Sequence, residues 1–287
     1  MRVLVAGSTG VIGRQLVPLL EAVGHEVIPG SRATGLDALD RQGTAAFVRN
    51  AAPDVIVHLL TSIPKEVDPR RFAAQFAMTD RLRTEGARNL LDAAPQARIV
   101  AQSVAFAYEP GEGLANEDTP LWADPPKAFA GARDAVMELE RLTGERGGLV
   151  LRFGHLTGPG TVFGDDGSTT LAVRAGKLPI VGDGASVFSF THTHDAATSI
   201  VAALDREVGG VLNVVDDHPT AVRDWLPALA ALLGAPAPKR VPAFAARLAV
   251  GGWGTAFMTR LRGADNSRAR LRLNWRPRFE TFLRETA

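Results

Sequence analysis

Three glycines at a spacing of three, Gly7, Gly10 and Gly13, stand between a short apolar, β-prone run over residues 2–6 and a helical pattern in which Val11, Leu16, Leu19, Leu20 and Val23 recur. This order of strand, glycine turn and helix is the strongest constraint on the fold. Glycine permits the tight turn, lets backbone N–H groups approach a pyrophosphate, and lets the helix pack closely on a sheet with its positive end facing the negative charge. Gly24 stops that helix. His25 to Pro29 then reads as a second strand and Pro53 to Leu59 as a third, with a short helix across Gly43 to Asn50 between them. The pattern continues with a helix over Thr79 to Ala94, a strand over Ala97 to Ser103, a helix over Pro126 to Thr143 and a strand over Gly148 to Phe153. Strands alternating with helices predict βαβ units and a parallel sheet, and glycines closing the first strand of such a series predict dinucleotide binding.

After Gly158 the rhythm changes. Gly158-Pro-Gly160, Gly164-Asp-Asp-Gly-Ser168 and Val181-Gly-Asp-Gly184 separate short elements, as expected of loops that form a binding surface, and two helical stretches follow over Thr220 to Leu233 and Pro242 to Thr259. The expected fold is α/β: a Rossmann-type doubly wound parallel sheet over residues 1–157, with a smaller, irregular, mainly substrate-binding region over 158–287 that interleaves with the sheet.

Composition removes several classes of function. With 32 basic against 31 acidic residues in 287, the net charge of +1 gives no footprint for nucleic acid. The chain has no cysteine, which excludes disulfides, thiolate catalysis and cysteine metal sites. No run of 18 apolar residues spans a membrane, and the first residues enter a strand pattern without the features of a leader, so a cytoplasmic location is expected.

Which dinucleotide binds depends on the end of the second strand, where an acidic residue would accept hydrogen bonds from the ribose hydroxyls of NAD. Gly30-Ser31-Arg32 stands there instead. An arginine pairs with a 2′-phosphate and a serine donates to it, which favours NADP, with NAD the alternative. Asp37 is the next acidic residue and is better placed for the adenine amine. The bland reading of Arg32 is a solvated loop residue.

Several further segments carry a resemblance: Asp54-Val-Ile-Val-His-Leu59, Ile99-Val-Ala-Gln-Ser103, Leu151-Arg152 before Gly158-Pro159-Gly160, Phe190-Thr-His192-Thr-His-Asp195, Leu212-Asn213-Val214, and Asn266 onward to Trp275-Arg-Pro277. With the glycine turn, their order and spacing resemble the extended or atypical branch of the short-chain dehydrogenase/reductase superfamily, the NAD-dependent epimerase/dehydratase family, over almost the whole chain. The resemblance implies that the cofactor lies against Gly7, Ser8, Thr9, Gly10, Val11, Ile12 and Gly13, then Ser31, Arg32 and Asp37, then Leu59, Leu60 and Thr61, with Arg133 and Phe153 near the nicotinamide end. It also implies a small-molecule substrate, and raises a homodimer through the helices near 79–94 and 126–143.

The family's hydride chemistry implies a tyrosine that moves the substrate proton, a lysine four residues later that lowers its pKa and holds the nicotinamide ribose, and an upstream serine or threonine. Ser103 matches the serine position. The other two are missing: the single tyrosine, Tyr108, is followed four positions on by Glu112, and the positions four before Lys65, Lys127, Lys177 and Lys239 hold Thr61, Ala123, Val173 and Ala235. The best register of the expected helix puts Phe129 and Arg133 at the two positions.

Two residues could replace the missing acid. Tyr108 follows Ser103 by five residues in a loop at the carboxyl end of the sheet, although a tyrosine packed under a loop explains it equally well. His155, in Arg152-Phe-Gly-His155-Leu-Thr-Gly158, matches the segment that faces substrate, and imidazole titrates near neutrality without a lysine helper. His58 reads as a core histidine held by backbone. Asp195 reads as a helix N-cap and His192 as a scaffold residue rather than metal ligands. The leading expectation is an NADP-preferring oxidoreductase of a small organic substrate, with Ser103 polarising a carbonyl. The alternatives are a nucleotide-sugar-like epimerase or dehydratase that retains its cofactor, and a dinucleotide-sensing regulator without turnover.

Overall fold

The structure, a computed structural model, describes residues 1–279 and 281–282. Residues 280 and 283–287, at the end of the expected C-terminal region, lie outside the described residues. Five strands, β1 (Arg2–Ala6), β2 (Glu26–Gly30), β3 (Val55–His58), β4 (Arg98–Val104) and β5 (Leu149–Phe153), join a sixth strand, Gly210–Val214, in one parallel sheet. The order across the sheet is Gly210–Val214, β5, β4, β3, β1, β2. Chain direction across the sheet reverses beside β1, which opens a crevice at the carboxyl ends of β1 and β3.

Both faces of the sheet are covered, which explains why its strands read as continuous apolar runs rather than alternating ones. Val3, Leu4, Val5 and Ala6 are all fully buried. The helices are α1 (Gly13–Ala22), α2 (Arg41–Ala51), α3 (Phe72–Arg81), α4 (Ala87–Ala93), α5 (Lys127–Glu145), α6 (Ser168–Arg174), α7 (Thr193–Leu204), α8 (Val222–Leu232), α9 (Ala243–Thr259) and α10 (Ser267–Leu273). Leu16 and Leu20 of α1 and Ala196, Ile200 and Ala203 of α7 pack on one face. Val48 of α2, Leu90 of α4 and Leu139 of α5 pack on the other.

The helix expected over 79–94 begins earlier, at Phe72, and is interrupted by a π turn over Leu82–Gly86. Phe72 and Phe76 explain the early start. Their rings stack at 4.1 Å, and Phe72 also meets Phe129 and Trp253, partners too distant in sequence for local periodicity to reveal.

Beyond residue 158 the chain supplies the sixth strand and α7 to the main sheet, then builds a second core. Short pairs, His155–Thr157 with Phe190–His192 and Val187–Phe188 with Thr220–Ala221, bring Phe163, Phe188, Phe190, Trp225 and Trp253 together over the carboxyl end of the sheet. Helix α9 is kinked at Gly251, where φ of +74° admits glycine readily and other residues only with strain.

Candidate active site

The glycine turn after β1 is built for close approach. Gly7 has φ of +101°, and a Cβ on it would lie 2.8 Å from the Leu59 carbonyl carbon and oxygen. A Cβ on Gly13 would lie 2.3 Å from the Gly7 oxygen, so α1 can start where it does only with glycine there. Gly7 donates to the Gly30 carbonyl at 2.7 Å and Gly10 to the Gly7 carbonyl at 3.0 Å. Helix α1 has no capping side chain and no acidic residue in its first turn, so its N-terminal N–H groups keep their attraction for an anion. Thr9 and Gly10 are exposed, Val11 is half-buried, and Ser8 and Ile12 are buried beneath the turn.

At the end of β2, Ser31 caps a short turn reciprocally with Thr34: Thr34 N–H donates to the Ser31 hydroxyl at 3.3 Å and Ser31 N–H to the Thr34 hydroxyl at 2.8 Å. The serine hydroxyl is therefore engaged locally. Arg32 is exposed and its side chain makes no ion pair or hydrogen bond among the described residues, and Asp37, also exposed, accepts from the Leu39 N–H at 3.1 Å. Leu36 lies against Gly30, where a Cβ would meet it at 2.7 Å. Leu59 is buried against Gly7, while Leu60 and Thr61 are half-buried beyond it. The loop after β5 returns to the same place: a Cβ on Gly160 would lie 3.4 Å from both Val11 and the Arg14 guanidinium. A dinucleotide fits the groove made by these backbone surfaces.

Arg133 and Phe153 do not turn toward that groove. The Arg133 guanidinium donates to the carbonyls of Trp122 (2.5 Å) and Ala123 (2.9 Å) and to the Asp134 carboxylate (2.7 Å). The Phe153 ring is buried in the core shared with Val100 and Leu151. Phe129, which the sequence register sets at the expected tyrosine position, stacks on Trp253 at 4.0 Å.

Ser103 and Tyr108 belong to one buried polar chain. Ser103 and Arg152 are cross-strand partners. Ser103 Oγ donates to Glu140 on α5 at 2.7 Å, and Arg152 grips the same carboxylate through Nε (2.8 Å) and Nη2 (2.5 Å). Burial lowers the pKa of Arg152, but the Glu140 carboxylate outweighs it and the net shift is upward. Arg152 Nη1 donates to the Tyr108 hydroxyl at 2.8 Å, and that hydroxyl donates to Asn213 Oδ1 at 2.6 Å. Asn213 N–H donates to Glu117, which pairs with Arg268 at 3.3 Å. Tyr108 is 1% exposed and burial raises its pKa. Its hydroxyl has a donor and an acceptor already, and this geometry matches the packed reading rather than a relocated acid.

His155 sits among rings. Phe188 stacks on one face at 4.0 Å and Phe106 on the other at 4.8 Å, with the edges of Phe163 and Phe257 around it. Nδ1 lies 3.2 Å from the Ser189 carbonyl, and burial lowers the pKa to about 4. The titration near neutrality expected of this imidazole is removed by desolvation, so at neutral pH the ring is uncharged.

Sequence reasoning did not single out Arg83. It lies in the π turn and is 6% exposed, and its side chain makes no hydrogen bond or ion pair among the described residues. Burial lowers its pKa, partly opposed by Asp80 and Glu140. Nearby, burial raises the pKa of Asp80, and His58, held by the Leu82 carbonyl at 3.2 Å, is lowered by burial to about 4. The signal in sequence was slight: one of two arginines flanking Leu82 in an otherwise polar helical stretch.

The histidines of the Phe190–Asp195 segment serve the backbone. His192, rather than Asp195, caps α7 by accepting from His194 N–H, and Asp195 accepts from the N–H groups of Arg278 and Phe279 at 3.0 Å each, fastening the closing segment to the helix. Among the described residues no group of three or more potential metal ligands converges, and no helix is long and apolar enough to cross a membrane.

Comparison with known proteins agrees with this geometry. The family model described as NAD dependent epimerase/dehydratase family matches residues 3–214. A 3-diazoavenalumate denitrifying reductase from Streptomyces sp is 46% identical over 294 residues, covering 96% of each chain. The epimerase family protein SDR39U1 of Bos taurus is 32% identical, covering 83% of this chain and 82% of the relative. The crystal structure of human SDR39U1 with NADPH superposes with a TM-score of 0.75 at 25% identity, covering 100% of this chain and 99% of that one. A UDP-glucose 4-epimerase of Thermus thermophilus, solved with NAD, shares the fold with a TM-score of 0.74 at 22% identity, covering 100% of this chain and 97% of that one. By the matched model, these relatives and its own glycine turn, the chain belongs to the NAD-dependent epimerase/dehydratase family of short-chain dehydrogenase/reductases.

Proposed function

We propose that the protein is an NADP-preferring reductase of a small conjugated organic substrate, whose reaction needs no proton from an amino-acid side chain. One observation supports the reading: the glycine turn at the uncapped start of α1 is built for close approach, while the candidate proton donors are used within the protein. Tyr108 is saturated by Arg152 and Asn213, Ser103 is bonded to Glu140, and His155 is neutral. A carbonyl reduction would leave an alkoxide to protonate, a task for a tuned acid that is missing here. When bound, a reduced nicotinamide supplies hydride, and a diazonium carbon that accepts it and releases dinitrogen needs no proton. The denitrifying activity named for the 46% identical relative belongs to that class.

The residues divide the work as follows. Gly7, Gly10 and Gly13 admit the pyrophosphate to the start of α1. Unpaired Arg32 takes the 2′-phosphate, and Asp37 the adenine amine. Arg83, a buried cation whose side chain has no hydrogen-bonded partner, takes the place of the family lysine at the nicotinamide ribose. The test is a titration of NADPH and NADH, followed by NADPH oxidation in the presence of an aryl diazonium salt, measured above the protein-free rate. Binding of NADPH at least tenfold tighter than NADH, with protein-dependent oxidation, is expected. Tight NADPH binding with no turnover of any diazo or carbonyl compound would overturn the reading in favour of a regulator.

A further inference from the structure

We infer that His155 is a specificity-determining residue whose Nε2 accepts a hydrogen bond from a hydroxyl or N–H group on a flat, uncharged aromatic portion of the substrate. The inference rests on the reductase reading above and names the substrate class of that site. The Ser189 carbonyl can only accept, so the proton of the neutral imidazole is on Nδ1 and Nε2 carries a lone pair. That atom is buried without a partner among the described residues. A buried acceptor left unpaired is unfavourable, and a donor on a ligand would remove the penalty.

The surroundings select the rest of the ligand. Phe106 and Phe188 clamp the imidazole faces, Phe163, Phe190 and Phe257 surround it, and Trp253 lies against Phe257 at 5.7 Å. Phe106 and Phe257 are half-buried, whereas Phe163, Phe188 and Phe190 are buried. Aromatic walls favour flat rings by offset or edge-to-face contact. None of these walls carries a charge, so a charged group at this end would be desolvated without compensation. The position suits a substrate: Phe106 follows β4 and His155 follows β5, both past the carboxyl end of the sheet, where ligands of open α/β sheets bind. A donor-free ring would leave Nε2 unpaired, and a site built to hydrogen-bond a hydroxyl rejects the analogue lacking it strongly.

The experiment uses the NADP-saturated protein and two neutral flat probes of similar size, 2-naphthol and 2-methoxynaphthalene, followed by calorimetry and tryptophan fluorescence. The wild type should bind 2-naphthol at least tenfold tighter. His155→Phe, which keeps the aromatic stack, should bind both probes with similar affinity, and His155→Gln, which retains an acceptor, should recover part of the preference. Equal binding of the two probes by wild type, no binding of either, or a preference surviving in His155→Phe overturns the inference. NADPH affinity is measured on cofactor-free aliquots of the same preparations, so that loss of the cofactor reading is told apart from loss of this one. Far-UV circular dichroism confirms that each variant is folded, and the Gln variant supplies the test if the Phe variant is not.

Discussion

Tyr108→Phe separates the two roles open to the only phenol in the chain. The substitution removes one oxygen that accepts from Arg152 at 2.8 Å and donates to Asn213 at 2.6 Å in a site 1% exposed. Arg152 keeps its two bonds to Glu140, and the Asn213 amide keeps its donation to the carbonyls of Ala115 and Asp265, so one N–H and one amide oxygen are orphaned rather than the whole chain. Each orphaned buried group costs about 1–3 kcal/mol, and with partial relaxation the sum is about 2–4 kcal/mol. At roughly 2–4 °C of melting temperature per kcal/mol for a chain of this size, a fall of about 4–16 °C is expected. The assay pairs thermal and urea unfolding with turnover at a temperature where the variant is folded. Melting should fall while turnover stays within about threefold of wild type, since the hydroxyl faces the core and not a ligand. An unchanged melting temperature with turnover down more than tenfold would refute the reasoning and make Tyr108 the relocated acid.

Four further outcomes follow from the same geometry. Arg32→Ala should weaken NADPH at least tenfold and leave NADH unchanged, by titration at fixed salt, because only the 2′-phosphate is lost to it. Gly13→Ala should abolish measurable binding of both dinucleotides, since its Cβ would meet the Gly7 oxygen at 2.3 Å and displace α1. Arg83→Met should raise the melting temperature of the cofactor-free protein, because a buried charge with no hydrogen-bonded counterion is removed, while weakening NADPH about tenfold; unchanged affinity would remove Arg83 from the cofactor site. His155 is held at about 4 in the fold and near 6.5 when unfolded, so protons bind the unfolded chain preferentially between those values and stability falls as pH drops through that window. Urea unfolding at pH 7, 6 and 5 should show His155→Phe losing less stability than wild type, by up to about 1.4 kcal/mol per pH unit.

Five of the six strands were legible because each is written in local signals, whereas the sixth, Gly210–Val214, is fixed by its pairing with the distant β5. Apolar runs buried on both faces, glycine turns and amphipathic helices such as α2 and α5 are all written within a few residues. The start of α3 was not, because Phe72 owes its burial to Phe129 and Trp253, which lie 57 and 181 positions away. The glycine turn was legible for the same reason: Gly7 and Gly13 have steric tasks that only glycine performs. The catalytic side was not. Whether Tyr108, Ser103 and Arg133 are free or tied depends on Asn213, Glu140 and the carbonyls of Trp122 and Ala123, partners brought by tertiary folding. The lowered pKa of His155 likewise comes from rings contributed by four separate segments, around Phe106, Phe163, Phe188 and Phe257. Exhaustive counting could establish that no Tyr-x-x-x-Lys exists, but not what the protein uses in its absence.

The central claim is that hydride passes from NADPH to carbon without a side-chain proton donor. The direct measurement is turnover of an aryl diazonium salt with NADPH deuterated at the transferring position of C4, in ordinary water, reading product by mass spectrometry and gas release. The account predicts deuterium at the carbon that bore nitrogen, dinitrogen equimolar with NADPH oxidised, and no deuterium incorporation when unlabelled NADPH is used in heavy water. A new C–H bond whose hydrogen comes from solvent would contradict it.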